Sequence, residues 1–119
     1  MKFIQGGVGR GGQNRSEDVR LVQLLLNDYV ARSTSHFIAV DGIADAETIR
    51  TIEEFQRGGG LQVSGVVEPG GATLRMLVMG FVTSLAGDLT GRHGEARRER
   101  RGDEHAADAL VYLARARGA

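Results

Sequence analysis

Apolar residues early in the chain recur at helical spacing. Val19, Val22, Leu25, Leu26, Tyr29 and Val30 fall on one side of a predicted first helix, with Arg20, Asn27 and Asp28 on the other. Asn14 followed three residues later by Glu17 has the form of a capping box, which sets the expected start. A second helix is predicted from an N-cap at Asp45 to about Gln56. It buries Thr48, Ile49, Ile52 and Phe55 and turns Glu47, Arg50, Glu54 and Arg57 outward, and Gly58-Gly59-Gly60 ends it. A third is predicted with Pro69 in its first turn, running through Leu74, Leu77, Val78 and Phe81. Ahead of these, residues 2–5 read as a short extended segment and residues 6–12 as a Gly-rich loop.

Composition shifts after Leu85. Residues 86–102 read as a polar connector, interrupted by glycines and carrying Arg97, Arg98, Arg100 and Arg101. Residues 103–119 return to helical spacing, with Ala106 or Ala107, Leu110, Val111, Leu113 and Ala114 in a narrow stripe. Acids come early and arginines late, in the sense the helix dipole favours. The expected organisation is therefore a domain over 1–85, a connector over 86–102 and a C-terminal helix over 103–119.

Two stretches follow one plan. Val40-Asp41-Gly42-Ile43 leads into a helix bearing Thr48 and, four residues on, Ile52; Val63-Ser64-Gly65-Val66 leads into one bearing Thr73 and Leu77. Neither unit can bury its apolar face alone, so repetition implies a shared core. Gly42 and Gly65 suit tight turns, and Gln23 and Gln56 each sit at the edge of an apolar stripe.

Size and charge narrow the functional classes. The chain has 119 residues, enough for one domain with a short appendage, and its 15 basic residues balance 15 acidic ones. Overall charge thus selects neither nucleic acid nor an anionic membrane as partner. No Cys is present, which excludes disulfides, thiolate metal sites and a Cys nucleophile. The N-terminus has no apolar stretch long enough for a signal peptide or membrane span, so the expectation is cytoplasmic synthesis with any export to the periplasm or cell wall by a non-classical route.

Motifs that could carry chemistry are weak. Gly7-Val8-Gly9-Arg10-Gly11-Gly12 satisfies G-x-G-x-x-G, yet only six residues precede it, and no alternation of strands and helices follows. A flexible entry loop explains it better than nucleotide binding. His36, His93 and His105 lack partners at metal-ligand spacing, so no metal or other cofactor is expected. No G-x-S-x-G elbow occurs, and the acids sit in caps and on polar helix faces rather than as a pair across a cleft. The expectation is a protein that is not an enzyme. Acids interleave with the Arg97–Arg101 run and no aromatic accompanies it, which leaves bases nothing to stack on.

The ordered set Asp18-Val19, Val22-Gln23, Leu26, Val40-Asp41-Gly42, Thr48, Phe55-Gln56, Gly60-Leu61, Ser64-Gly65-Val66-Val67, Thr73 and Leu77 resembles the peptidoglycan-binding-like domain family over roughly residues 8–79. That resemblance implies an all-α, three-helix bundle with an internal repeat and Gly-rich turns, to which this chain adds a C-terminal helix. It also implies a non-catalytic cell-wall binding module, of a kind found beside wall hydrolases and in phage lysins. Two departures from the family pattern stand in the second repeat: Ser64 where Asp is usual, and Glu68-Pro69-Gly70-Gly71 in place of a shorter turn.

Peptidoglycan or a muropeptide offers carboxylates, amines and amide backbones. A shallow surface between the repeat turns and the outer side of the second helix would meet carboxylates with Arg50, Arg57 and Arg75, and amines with Asp41 and Glu54. The bland alternative for this surface is a simple Glu53–Arg57 helix pair. A second functional class uses the same scaffold as a protein-protein adaptor, presenting the C-terminal helix to a phage structural protein or a secretion apparatus.

Overall fold

A computed structural model describes residues 3–33 and 36–89. The helices are α1 (Ser16–Ala31), α2 (Ala46–Gly58) and α3 (Ala72–Leu89), joined by two short strands, β1 (Val8–Gly9) and β2 (Val66–Val67). The mainly helical architecture follows the apolar spacing. The strands are an addition to the all-α expectation: they pair antiparallel, Val8 with Val67 and Gly9 with Val66. They exist because the loop before α1 is held against the turn before α3. The expected C-terminal helix and most of the expected connector lie outside the described residues.

α1 is the central element, packed against α2, α3 and β1. Its apolar stripe widens to include Leu21 and Leu24, so nearly the whole of Asp18–Asn27 is buried, with Arg20 the exposed exception. Ile4, Val8, Ile38, Ile52, Phe55, Val67, Leu74, Leu77 and Phe81 complete the core. Tyr29 meets Phe55 edge to face, with ring centroids 4.9 Å apart.

The helix ends differ from expectation in instructive ways. Asp45 does cap α2, accepting from the Thr48 N–H at 2.9 Å. α2 closes with paired bonds from Gly60 N to the Arg57 carbonyl and from Leu61 N to the Gln56 carbonyl, which satisfy two end carbonyls and redirect the chain. The Asn14–Glu17 capping box does not form. Arg15 is the N-cap and gives no side-chain cap. Asn14 is instead in the left-handed region at φ 55°, and its side chain accepts from Gly9 N and donates to the Gly9 and Gly12 carbonyls. A residue spaced for capping is used to tie the Gly-rich loop to itself, because a loop that lies on the protein must place its own N–H and C=O groups. Pro69 also falls outside the helix it was expected to start. It lies in the turn closed by Gly71 N to the Glu68 carbonyl, and α3 begins only at Ala72 and continues to Leu89.

The two glutamines form the principal polar contacts of the interior. Gln23 and Gln56, each 1% exposed, are buried and not at a stripe's edge. Gln23 Oε1 accepts from Asp41 N and Gly42 N, both at 3.0 Å, while its Nε2 donates to Asp41 Oδ1, the Ile43 carbonyl and Thr48 Oγ1. Gln56 repeats the arrangement, accepting from Ser64 N and Gly65 N at 2.9 Å and donating to Ser64 Oγ, the Val66 carbonyl and Thr73 Oγ1. Both turns need a glycine, Gly42 at φ 79° and Gly65 at φ 77°, since this left-handed backbone aims consecutive N–H groups at one oxygen. An NH₂ group has only two protons for its three oxygen neighbours, so one proton is shared at each site.

Asn27 and Asp18 extend the same principle along α1. Asn27, expected on the polar side, is buried and exchanges two 2.9 Å bonds with the backbone of Ile38. The Asp18 carboxylate accepts from Gln5 N and Gly6 N.

These contacts generate an asymmetric prediction. Gln23→Ala and Gln56→Ala should each cost about 2–3 kcal/mol, because each strands a pair of turn N–H groups. Replacement by Glu separates the two sites. At Gln56, the Ser64 and Thr73 hydroxyls can rotate to donate to the new oxygen, whereas at Gln23 the new carboxylate faces the Asp41 carboxylate. Urea unfolding at pH 7 should find Gln23→Glu the more destabilised by at least about 1 kcal/mol; equal loss would refute the arrangement.

Candidate functional site

The clamp of Gln56 fixes the course of residues 61–73, and this path leaves a cleft of about 180 Å³. Leu61, Val66 and Ala72 supply apolar wall, Gly71 a bare backbone edge, and Gln62, Ser64, Glu68 and Thr73 polar groups. The turn Glu68–Gly71 at its edge is longer than its counterpart before α2. From Ser64 to Thr73 is nine residues, against seven from Asp41 to Thr48, and the longer turn supplies Glu68 and Gly71 to the lining.

The polar groups are not equally available. Thr73 is buried and its hydroxyl is taken by Gln56. Ser64 Oγ is 3.3 Å from the Val66 carbonyl besides accepting from Gln56. The side chains of Gln62 and Glu68 are exposed and make no hydrogen bond or ion pair within the described residues. Glu68 reaches toward the N-terminal loop, where a methyl group on Gly7 would lie 3.3 Å from Glu68 Oε1. The cleft can therefore receive an amine or amide N–H on Glu68 and an amide group on Gln62, with an apolar floor for a short aliphatic side chain.

None of the five residues expected to bind ligand lines this cleft, but Arg75 is bonded to the turn that borders it. Its Nη1 donates to the Gly70 carbonyl at 3.1 Å, beside Gly71 of the lining, which leaves the rest of the guanidinium fork for a carboxylate. Arg50, Glu54 and Arg57 are exposed along the outer side of α2, and their side chains make no hydrogen bond or ion pair within the described residues. Asp41 is on the first turn, where its Oδ1 accepts from Gln23 and from Ile43 N at 3.0 Å. No side-chain hydrogen bond or ion pair joins any of these five residues to another among the described residues. Glu53 does not pair with Arg57. It makes a 2.8 Å bridge with Arg10, a residue 43 positions away, and both side chains pack beside Gly65. Arg10 and Gln62 carried no sequence signal, since their importance depends on which turn the chain brings beside them.

Hydrogen bonds from Ile43 N and Gln23, in that order, hold the Asp41 carboxyl below the usual aspartate range. Among the described residues no group of three or more His, Cys, Asp or Glu is placed to hold a metal ion, and no helix is long and apolar enough to cross a membrane. His36 is exposed, while His93 and His105 lie outside the described residues.

The model of the family described as "Putative peptidoglycan binding domain" matches residues 15–77, which contain both glutamine clamps and the whole cleft lining. No curated protein and no solved structure matches the chain.

The depressed Asp41 carboxyl gives a pH test. Its folded-state value lies below its unfolded one, so its contribution is present above the ordinary aspartate range and is lost as pH falls through the folded value. Carboxyl NMR should place the Asp41 midpoint below about 3.9. Asp41→Asn should lose less stability than the parent chain between about pH 4 and pH 2; an unshifted midpoint would remove Asp41 from the clamp.

Proposed function

The chain belongs to the peptidoglycan binding domain family, and on that premise we propose that it is a non-catalytic wall-binding module whose contact surface is the cleft at the second turn. The observation that carries this reading is the coincidence of three things at one place: the lengthened Glu68–Gly71 turn, the exposed Glu68 and Gln62, and Arg75 anchored at the turn's edge. A peptide stem offers amines, amides, carboxylates and small aliphatic side chains. Glu68 would meet an amine, Gln62 a backbone amide, Arg75 a carboxylate, and Leu61, Val66 and Ala72 a methyl group. Arg57, in the last turn of α2, precedes the cleft residue Leu61 by four positions and would extend the basic edge, with Arg50 and Glu54 farther along the same helix.

Asp41 in this reading is architectural, a member of the first clamp. The matching clamps make an internal duplication the economical description of the scaffold, with one copy kept for stability and the other adapted for contact. A wall ligand would place the working protein in the periplasm or cell wall.

Pelleting with purified sacculi tests the reading. The parent chain should pellet and release no soluble wall fragments. Glu68→Gln and Arg75→Gln should each weaken retention about tenfold, the loss of one charge-assisted contact, with unchanged circular dichroism. An adaptor presenting residues 103–119 to a protein partner would give no pelleting, and release of fragments would point to a hydrolase. Retention that survives both substitutions would move the contact surface away from the cleft.

A further inference from the structure

α3 has a second apolar side that its own domain does not use. Leu74, Leu77 and Phe81 are buried against α1 and its neighbours, with Val78 and Leu85 packed partly against the same core. The opposite side carries Met79, Val82, Thr83 and Ala86, all exposed, Met79 at 65% and Val82 at 50%, while at its flank the Met76 thioether packs beside Gly59 and Arg32 reaches Gly80. From Ala72 to Gly87 the sole charged residue is Arg75. A helix apolar all round is one that is covered on both sides in its working state. An outer stripe whose large residues are Met79 and Val82, on a helix without the lysines and glutamates that usually solvate such a surface, therefore calls for an occupant.

We infer that this occupant is the chain's own C-terminal segment, residues 103–117, docked as a helix along the outer side of α3. Three observations select it. The segment has a complementary stripe, Ala106, Ala107, Leu110, Leu113 and Ala114, whose small residues permit close approach to a methionine-bearing surface. The geometry is permissive: the exposed stripe from Met79 to Ala86 is about 11 Å long, a helix over 103–117 about 22 Å. Residues 90–102 reach up to about 40 Å when extended, enough to return the segment along α3 in either direction. Area excludes the rival. The exposed parts of these side chains amount to a few hundred Å², short of the roughly 800 Å² per partner that a stable dimer buries. An intramolecular occupant needs less, because the tether holds it at an effective concentration on the order of millimolar. This docking is independent of wall binding, since the cleft and the outer stripe of α3 are built from different residues.

The absence of Cys from the chain makes the test direct. In the full-length protein, Met79→Cys is combined in turn with Ala107→Cys, Leu110→Cys, Leu113→Cys and, as an off-stripe control, Asp108→Cys. Each pair is oxidised at low protein concentration. The expected result is an intramolecular disulfide, seen as a faster-migrating monomer, forming at least about tenfold faster with one of the stripe positions than with Asp108→Cys. As a second readout, the Met79 methyl resonance should shift when Leu110 and Leu113 are both changed to Glu in the chain without added cysteines, with the core helices unchanged by circular dichroism. Equal rates at stripe and control positions, no intramolecular product at any position, or a product that is a dimer would each overturn the inference.

Discussion

A segment that crosses a buried surface without joining a sheet or helix must still find partners for its N–H and C=O groups. In this protein that requirement is met chiefly by the amide side chains of Gln23 and Gln56. Each reads the backbone of a glycine turn with its carbonyl and ties the turn to the next helix through a threonine hydroxyl. A side-chain amide presents an acceptor and a donor group a fixed distance apart, so it fixes position and orientation together. Apolar packing cannot do this, because it is indifferent to small rotations of a loop. The hydrophobic core supplies most of the driving force, and the clamps determine which of many apolar packings is the native one.

The placement of the cleft follows from the same requirement. Both clamps hold a turn, a threonine and a helix start in one relation, but the second spans a longer path between Ser64 and Thr73. The extra residues cannot be absorbed into the clamp or into α3. They form the Glu68–Gly71 turn, which supplies Glu68 and Gly71 to the cleft lining. The N-terminal loop then covers that turn from the other side, with Arg10 N bonded to the Gly65 carbonyl and Arg10 paired with Glu53. That ion pair is well exposed at its arginine end and adds little stability by itself. Its value is in holding the loop at one edge of the turn while the cleft stays open at the other.

Much of the fold is legible in the residues because helices declare themselves locally. The spacing of Val19, Val22, Leu25 and Leu26, the cap at Asp45 and the glycines after Arg57 each act within one or two turns of chain. Asn14, Asn27, Gln23 and Gln56 were harder to place. Their neighbours in sequence suggested a cap, a polar side and stripe edges, whereas their partners lie on segments as far as 25 residues away, as with Gln23 and Thr48. A polar side chain inside a helix pattern has the same local appearance whether it meets water or a crossing backbone. The pairing of Glu53 was hidden for the same reason: the local candidate was Arg57, and the actual partner came from a loop outside the helix.

The sequence by itself determined the three helices, the two glycine turns, the relation between them and the family to which the chain belongs, because each depends on short-range periodicity or on residue order. Only the tertiary structure decided that the glutamines are interior clamps, that the Gly-rich loop pairs with the second turn as β1 and β2, and that Arg75 is bonded to the turn bordering the cleft while Asp41 belongs to the first clamp. The physical reason is the range of the interactions. Helix caps and apolar stripes are satisfied within a few residues, whereas a buried backbone group accepts any donor or acceptor the fold brings to it, and that choice is made only when distant segments meet.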